Sequence, residues 1–302
     1  MTENHPIYVH EALRWASSYL NKHSREEEIA RRLLLHHTGW SRARLFAEMR
    51  SEISLGLYRA FQKDIELAAE GTPVQHITGS EIFCGWEYRV TPDVLIPRPE
   101  TEELIEAITR EIAASGLQPE NVVDIGTGSG IIAITLHRLW ASAGNAGGEG
   151  RQVHVTATER SPEALAVAKE NAVRLGAADI TFLEGDLTAP LLDKGVRANV
   201  IVSNPPYIPT GDRQELNENV ADHEPDEALF AGDDGLQVYR RLAGELPDII
   251  EVPGLIALEI GWNQGNDVKQ LLLKIFPEAD ITVEKDMNGN ERIVLARIND
   301  IS

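Results

Sequence analysis

The sequence predicts an α/β fold: a mostly parallel sheet covered by helices, preceded by a small helical bundle and ended by an antiparallel hairpin. Three observations support this prediction. Apolar residues recur at helical spacing up to about residue 70. From Asn121 onward, short apolar runs alternate with helical segments, which is typical of a parallel sheet. Asn288-Gly289 then joins two apolar runs, as the turn of a β-hairpin does.

The N-terminal part, residues 1–73, is predicted to be a helical domain of its own. Helical spacing of apolar residues indicates helices over Glu26–His37, Ser41–Glu48 and Leu55–Ala69. Ser24 is the predicted N-cap of the first of these helices, and Gly39 is its predicted stop. His36 and His37 are expected to be ordinary core or surface residues rather than metal ligands.

Residues 74–97 are predicted to form a β-hairpin linker, because aromatic and apolar residues alternate with polar ones. Pro97 and Pro99 then predict an extended segment. Thr101 is the predicted N-cap of the helix that follows, Glu103–Ala113.

Residues 98–302 are predicted to contain the sheet and the helices around it. The predicted strands are Asn121–Ile125, Gln152–Glu159, Ile180–Leu183, Asn199–Val202, Leu255–Ile260, Ile281–Glu284 and Arg292–Ile298. The predicted helices are Ile131–Trp140, Pro162–Leu175 with Ser161 as its cap, Leu236–Ile250 and Val268–Ile275. Ala141–Gly150, rich in glycine and alanine, is predicted to be a surface loop.

The composition restricts the classes of function. The 302 residues carry a net charge of −20, with a pI of about 4.8. This argues against a nucleic-acid partner, because such proteins usually present a basic face. The single cysteine, Cys84, excludes an internal disulfide and is typical of a reducing compartment. Without a membrane-length apolar run, a signal peptide or a metal-ligand motif, we expect a cytoplasmic monomer that binds no metal.

The stretch Ser203–Pro209 indicates a site for a planar amino group. Pro205 and Pro206 end an apolar strand in an extended form, which places Asn204 at the carboxyl end of that strand. Open α/β sheets bind their ligands at this edge. The side-chain oxygen of Asn204 and the carbonyl of Pro205 can accept both hydrogens of one NH2 group, with Tyr207 stacked on its plane. The alternative interpretation is a simple proline turn.

A glycine-rich turn, Asp124–Gly130, follows the first predicted strand of the sheet. Its Gly-x-Gly-x-Gly spacing lets a ligand approach backbone N–H groups at the start of a helix. A dinucleotide fingerprint requires its third glycine at the position of Ile131, so that fingerprint fails. The alternative interpretation is a turn that needs positive φ angles and binds nothing.

Acidic residues follow the next two predicted strands. Glu159 can hold both ribose hydroxyls of a nucleoside, and Asp186 can contact an adenine edge; helix capping is the alternative for Glu159. A nucleoside site without a pyrophosphate fingerprint, beside a site for a planar amino group, indicates S-adenosylmethionine. Its methyl group is carried by a sulfonium, so the protein mainly has to align the acceptor nitrogen.

These motifs resemble class I methyltransferases that modify planar nitrogens, and more closely the release factor glutamine methyltransferase (HemK/PrmC) family. The resemblance extends from about residue 73 to the C-terminus. Asn-Pro-Pro-Tyr is shared with adenine methyltransferases, whereas Ile-Pro-Arg-Pro-Glu-Thr is more specific. The stretches that carry the resemblance are Gln75–Gly79, Leu95–Glu102, Asp124–Gly130, Asn204–Pro209, Glu224-Pro225, Ala228-Leu229 and Asn290–Arg292.

The resemblance implies a Rossmann-like class I methyltransferase domain over residues 98–302 and a substrate-recognition domain over residues 1–73. It implies methyl transfer from S-adenosyl-L-methionine to the glutamine N5 in the Gly-Gly-Gln motif of peptide chain release factors, with S-adenosyl-L-homocysteine as product. Leu187 stands where some relatives have an aromatic residue. The implied catalytic residues are Asn204, Pro205 and Tyr207, joined by Pro206 in substrate binding. The implied cofactor-binding residues are Asp124, Gly126, Thr127, Gly128, Ser129, Gly130, Glu159, Asp186, Leu187 and Asn204.

Other functions stay open at this point. An N6-adenine methyltransferase acting on nucleic acid would use the same amino-group site, although the acidic charge opposes it. A glutamine methyltransferase acting on a ribosomal protein is a further alternative. A non-enzymatic nucleoside-binding module would need the glycine loop but not Asn204 and the two prolines.

Overall fold

The computed structural model describes residues 6–144, 153–216 and 218–299. The chain divides into two compact units: Met1–Ser80 with Asn217–His223, and Glu81–Leu216 with Glu224–Ser302. The domain boundaries expected from the sequence, at residues 73 and 97, stay predictions. Most of the predicted loop Ala141–Gly150 and the start of the predicted strand at Gln152 lie outside the described residues.

Strands and helices alternate along most of the chain. The strands are β1 (Ile7–Tyr8), β2 (Glu52–Ile53), β3 (Ser80–Phe83), β4 (Trp86–Arg89), β5 (Asn121–Ile125), β6 (His154–Glu159), β7 (Thr181–Glu184), β8 (Ala198–Ser203), β9 (Ile250–Glu259), β10 (Asp280–Lys285) and β11 (Glu291–Ile298). The α-helices are α1 (Val9–Lys22), α2 (Glu28–Thr38), α3 (Arg42–Ala47), α4 (Leu55–Ala69), α5 (Val74–Thr78), α6 (Pro99–Ser115), α7 (Ile131–Gly144), α8 (Pro162–Arg174), α9 (Ala189–Lys194), α10 (Glu218–Ala221), α11 (Asp226–Leu229), α12 (Gln237–Glu245) and α13 (Gly265–Ile275).

The first unit is a helical bundle, as predicted. Leu20 of α1, Leu33 of α2 and Phe61 of α4 are fully enclosed in its core. The strands β1 and β2 add a short antiparallel pairing. Helix α4 has the predicted bounds, because its apolar residues return to one face every three or four positions.

The predicted start of α2 is wrong. The helix begins at Glu28 with Glu27 as its N-cap. Ser24 instead lies in the turn that ends α1, with a φ of 58°, and its N–H donates to the Asn21 carbonyl at 3.1 Å. The predicted stop of α2 is confirmed, since Gly39 takes the left-handed conformation that ends many helices.

The second unit is built on a seven-stranded sheet with the order β10-β11-β9-β8-β5-β6-β7. The five strands β9, β8, β5, β6 and β7 run parallel to one another. Strand β11 is antiparallel to both of its neighbours, β9 and β10. The predicted parallel sheet with a C-terminal antiparallel hairpin is therefore confirmed. The chain passes to one side of β5 for β6 and to the other side for β8, so the gap between β5 and β8 is the topological switch point.

Helices cover both faces of this sheet. Val122 of β5 packs in a cluster with Leu104 of α6 on one face, and Val123 packs with Leu242 of α12 on the other. Successive residues of a strand point to opposite faces, so a strand covered on both faces is apolar throughout. This is why the mainly apolar residues of β5 and β8 predicted these strands within one residue of their observed ends, although β5 also contains the buried Asp124.

Thr101 is not the helix cap that the sequence predicts. Helix α6 begins four residues earlier than predicted, with Arg98 as its N-cap and Pro99 in its first turn. Proline is well accommodated there, because the first N–H groups of a helix have no intrahelical partner. Thr101 therefore lies inside the helix, fully buried, with its hydroxyl free to bond elsewhere.

Two further local predictions need correction. Val74–Thr78 is helical, so only β3 and β4 form the hairpin expected over residues 74–97. The helix predicted over Leu236–Ile250 ends at Glu245, because Pro247 cannot continue it, and Ile250 already belongs to β9. Every helix in the described part of the chain is too short or too polar to cross a membrane.

Candidate active site

A cavity of about 630 Å³ lies at the carboxyl edge of the parallel strands, entirely within the second unit. The loops that follow β5, β6, β7 and β8 line it, together with residues 92–95 and parts of α11 and α12. This is the topological switch point, where open α/β sheets bind ligands. Small-molecule sites have volumes of roughly 300–1,000 Å³, so the cavity has the size of such a site.

Most of the predicted site residues line this cavity. They are Gly126, Thr127, Gly128, Ser129, Glu159, Asp186, Leu187, Asn204, Pro205 and Pro206. Asp124, Gly130 and Tyr207 are absent from its wall, and the structure assigns them supporting positions. Among the described residues, no group of three or more His, Cys, Asp or Glu side chains is arranged to hold a metal ion.

The glycine loop after β5 requires backbone conformations that favour glycine. Gly126, Gly128 and Gly130 have φ angles of 74°, 56° and 85°. A Cβ on Gly126 or Gly128 would meet no atom within 4 Å, so these two positions leave open space in the cavity wall. A Cβ on Gly130 would lie 2.8 Å from Ile134 Cδ1 and 3.3 Å from the Ala168 backbone. The third glycine therefore allows close packing between α7 and α8.

Asp124 supports the glycine loop from the protein interior. Its Oδ2 accepts hydrogen bonds from the Thr127 hydroxyl at 2.6 Å and from the Ala133 N–H at 3.1 Å. Burial raises the pKa of Asp124 to about 7, although both of these bonds favour the charged form. Its Oδ1 is buried and has no hydrogen-bond partner among the described residues. The carboxyl thus ties the loop to the start of α7.

Glu159, at the end of β6, is already engaged by backbone groups. Its Oε2 accepts a hydrogen bond from the Gly128 N–H at 2.9 Å. Its Oε1 accepts from the N–H groups of Arg160 and Ser161 at 2.8 and 2.9 Å. A carboxylate has about four acceptor positions, so one remains for a ligand hydroxyl without breaking any of these bonds. The bond to Gly128 also holds the glycine loop against β6.

Asp186 and Leu187 follow β7 on the opposite wall. Arg241 of α12, which the sequence analysis did not single out, donates to Asp186 Oδ2 at 2.7 Å and lines the cavity as well. Leu187 has a φ of 49°, uncommon for a leucine, and its side chain contributes an apolar surface. This wall therefore combines an apolar surface with an ion pair.

Asn204 lies directly after β8 and is oriented by two buried residues. Its Nδ2 donates to Thr101 Oγ1 at 3.2 Å, and Thr101 Oγ1 donates to Glu259 Oε2 at 2.7 Å. Asn204 also lies close enough to Glu259 to favour its charged form and so to lower its pKa. Ser203, the last residue of β8, donates from its hydroxyl to the Ile125 carbonyl at 2.6 Å. This bond fixes the end of β8 beside the end of β5.

Pro205, Pro206 and Tyr207 form a loop, called the proline loop below, which is held in place through its main chain. The Tyr207 carbonyl accepts a hydrogen bond from Gln264 Nε2 at 2.9 Å. Gly235 allows this arrangement, because a Cβ there would lie 2.2 Å from the Tyr207 carbonyl oxygen. Burial raises the pKa of Tyr207 to about 12, and the negative charge of Glu259 adds to that shift. The tyrosine is therefore neutral and cannot act as a base.

The Ile-Pro-Arg-Pro-Glu-Thr segment is fixed by Glu224. This buried carboxylate accepts hydrogen bonds from the Ile96 N–H, at 3.0 Å, and from the Arg98 guanidinium. The segment leads into α6, which carries Thr101. Two stretches that carry the resemblance, Leu95–Glu102 and Glu224-Pro225, are thus in contact.

Sequence reasoning missed Glu259 and Gln264. Glu259 ends an apolar strand with a single acidic residue, which is the pattern that singled out Glu159, so the signal was present. Gln264 lies in a loop and has no local pattern that distinguishes it. Both act through residues more than 50 positions away along the chain.

Comparisons with known proteins agree with this geometry. Residues 11–79 match the family model described as PrmC N-terminal domain, and residues 118–240 match one described as methyltransferase domain. A release factor glutamine methyltransferase of Bacillus anthracis is 43% identical over 291 residues, which cover 96% of this chain and 99% of that protein. The chain belongs to the release factor glutamine methyltransferase family. Members from Bacillus subtilis and Geobacter sulfurreducens are 43% and 34% identical, over 96% and 99% of this chain and 98% and 100% of theirs.

The fold has a counterpart among solved structures. The catalytic domain of hMettl16, crystallised with a hairpin of the MAT2A 3'UTR, superposes with a TM-score of 0.52 at 14% sequence identity. The match covers 79% of this chain and 83% of that one. At this identity the likeness shows the fold alone. It confirms the predicted Rossmann-like architecture, and the family assignment shows a methyltransferase of the S-adenosylmethionine type.

Proposed function

We propose that this protein transfers a methyl group from S-adenosylmethionine to the side-chain amide N5 of the glutamine in the Gly-Gly-Gln motif of peptide chain release factors. Its family membership supports the substrate. The observation that carries the chemistry is the position of Asn204 at the switch point, beside the glycine loop. No described residue donates a hydrogen bond to its Oδ1 or to the Pro205 carbonyl. Asn204 Oδ1 and the Pro205 carbonyl are therefore both available to accept hydrogen bonds from one NH2 group.

The cavity wall fits the nucleoside part of the cofactor. Gly126 and Gly128 leave room for a ligand against the backbone, Glu159 retains one acceptor position for a ribose hydroxyl, and Leu187 offers an apolar face to a ring. S-adenosylmethionine supplies a methyl group on a sulfonium, and S-adenosylhomocysteine is what remains after transfer. The residues proposed to hold it are those of the glycine loop, Glu159, Asp186, Leu187 and Asn204, with Asp124 supporting the loop.

The residues of the proline loop orient the acceptor. An amide nitrogen is a poor nucleophile, because its lone pair is delocalised into the carbonyl group. Hydrogen bonds from its two N–H groups to Asn204 Oδ1 and the Pro205 carbonyl would hold the NH2 plane in one orientation. Both acceptors also stabilise the positive charge that develops on the nitrogen during transfer. Methyl transfer would leave a positively charged nitrogen that still carries both hydrogens; this cation is strongly acidic and loses one proton to water, giving the neutral N-methyl amide without a dedicated base.

The direct test uses purified protein, labelled S-adenosylmethionine and an intact release factor. We expect one methyl group per release factor, located on the Gly-Gly-Gln glutamine by fragment mass spectrometry. A release factor with that glutamine changed to alanine is the matched control and should stay unlabelled. Labelling of both substrates alike would overturn the assignment of the acceptor.

The substrate class has its own control. RNA, DNA and ribosomal proteins are offered in the same assay, because related sites modify adenine amino groups and other glutamines. We expect no labelling of these substrates; for RNA and DNA this agrees with the net charge of −20, and for ribosomal proteins it follows from the family assignment. Salt-dependent labelling of a nucleic acid would instead support an adenine methyltransferase.

A further inference from the structure

Asn204 is useful to the proposed reaction in only one of its two amide orientations. Its oxygen accepts from a substrate NH2 group, whereas its own NH2 group would meet that group donor to donor. Electron density rarely separates the two orientations, so they must be assigned from hydrogen bonding. The groups behind Asn204 therefore decide whether the site is competent.

We infer that Glu259 is a positioning residue for methyl transfer: acting through the Thr101 hydroxyl, its carboxylate makes the Asn204 amide present its oxygen to the substrate. This inference deepens the proposed function and rests on it. Glu259 does not line the cavity, so it acts on the reaction only through its neighbours.

The direction of the hydrogen bonds follows from the chemistry of the carboxylate. An ionised Glu259 can only accept, so Thr101 must donate its single hydroxyl hydrogen to it, at 2.7 Å. The Thr101 oxygen is then available only as an acceptor, and at 3.2 Å it receives the Asn204 Nδ2. The nearby charged carboxylate of Glu259 also favours the NH2 end of the amide on this side. Asn204 Oδ1 is left pointing away from this network.

Burial of Glu259 and Thr101 enforces this direction of the hydrogen bonds. Glu259 is 1% exposed and Thr101 is fully buried, so no bulk water can replace a lost partner. Reversing the amide would place its oxygen against the Thr101 oxygen, which can then only accept, in a region of low dielectric, and this costs a buried, unsatisfied group. Protonation of Glu259 removes the constraint, because a carboxylic acid can donate to Thr101, and Thr101 can then donate to Asn204 Oδ1.

Several groups influence the charge of Glu259. Burial raises its pKa to about 7, whereas Thr101, Arg292 on β11 and Asn204 favour the charged form. Glu100 on α6 opposes it, and the ring hydroxyls of Tyr207 and Tyr239 also face it. The fraction of molecules with the productive amide orientation should therefore rise with pH through the neutral range.

The first test removes the Thr101 hydroxyl without changing its volume. Thr101→Val should lower kcat/KM for the release factor on the order of tenfold to a hundredfold, as for the loss of one preorganised polar contact, with the affinity for S-adenosylmethionine within about twofold. Thr101→Ser keeps the hydroxyl and should recover most of this loss. Thr109→Val is the matched control, because Thr109 lies in the same helix and bonds only the Ile105 carbonyl. Equal activity of the valine and serine variants at position 101 would overturn the inference.

The second test does not depend on how well the valine variant folds. Glu259→Gln replaces an obligate acceptor with a group that also donates and does not titrate. The ratio of wild-type to variant kcat/KM should grow as pH rises between about 6 and 8.5, since only wild type gains the productive state. A ratio that stays constant over this range would contradict the role of Glu259.

The two proposals fail in different ways. Wild-type protein that leaves the Gly-Gly-Gln glutamine unmethylated refutes the proposed function. Wild-type protein that methylates it, with variants that match it at every pH, refutes only the positioning role.

Discussion

Gly235→Ala should disturb the proposed active site without touching any residue that lines the cavity. The added Cβ would lie 2.2 Å from the Tyr207 carbonyl oxygen and 2.7 Å from Gln264 Nε2. Neither atom can withdraw easily, because the two form the hydrogen bond that holds the proline loop. The loop must therefore move, and Asn204, three residues away along the chain, should move with it.

The cost has two parts that can be separated. Alanine at a φ of 71° costs about 1 kcal/mol, from the left-handed conformation alone. The displaced carbonyl and the strained hydrogen bond should add about 2 kcal/mol, as for overpacking in a well-packed region. Gly195→Ala is the matched control: Gly195 has a φ of 65°, and a Cβ there would meet no atom within 4 Å. The difference between the two variants therefore measures the clash.

Denaturant unfolding and single-turnover methylation together test this reasoning. Gly235→Ala should lose about 3 kcal/mol of unfolding free energy and Gly195→Ala about 1 kcal/mol. A shift of the loop by a fraction of an ångström should lower the rate of methyl transfer by at least about tenfold in Gly235→Ala only. If Gly235→Ala behaved like its control in both measurements, the loop would not depend on this close approach.

Three further predictions concern the site. Asn204→Ala should lower turnover on the order of a hundredfold while changing S-adenosylmethionine affinity little, measured by steady-state kinetics and calorimetry; equal losses in both would contradict its role toward the substrate. Glu159→Gln places an NH2 group where Gly128 now donates, and should weaken binding of S-adenosylhomocysteine roughly tenfold with kcat at saturating donor retained. Glu259 binds a proton more tightly in the folded chain, because its pKa is raised to about 7 from an unfolded value of 4.5. The unfolding free energy of wild type relative to Glu259→Gln should therefore fall as pH rises across this window, by about 3 kcal/mol in total, and a flat difference would argue that the carboxyl stays charged.

The elements that local pattern predicts best are those buried on both sides. β5 has the predicted bounds because every one of its residues faces a helix layer or a neighbouring strand. The positions of Asn204 and Glu159 followed from the same rule, since a polar residue directly after such a run must lie at the edge of the sheet. The parts of the cavity wall that follow the strand ends, including Asn204 and Glu159, were predictable in this way, whereas the parts supplied by α11 and α12 were not.

What the sequence could not supply is contact between distant residues. Thr101 has the chemistry of a helix cap and was interpreted as one, yet it bonds Glu259, 158 residues later. Its function depends on α6 lying across the end of β9, which no local pattern encodes. Tyr207 is similar: its ring suggested stacking against a ligand, whereas its carbonyl is what the structure fixes, through Gln264.

The hydroxyl bridge between Ser203 and the Ile125 carbonyl joins the two residues that come immediately before Asn204 and Gly126. Ser203 and Ile125 are separated by 78 positions of chain. The glycine loop and the loop that begins at Asn204 therefore form one site only after the long stretch between them has closed. During refolding, helix content should return early, whereas catalytic activity should return only after β5 and β8 have paired. The activity of a refolding sample would therefore report the rate at which β5 pairs with β8, which spectroscopy of secondary structure does not detect separately.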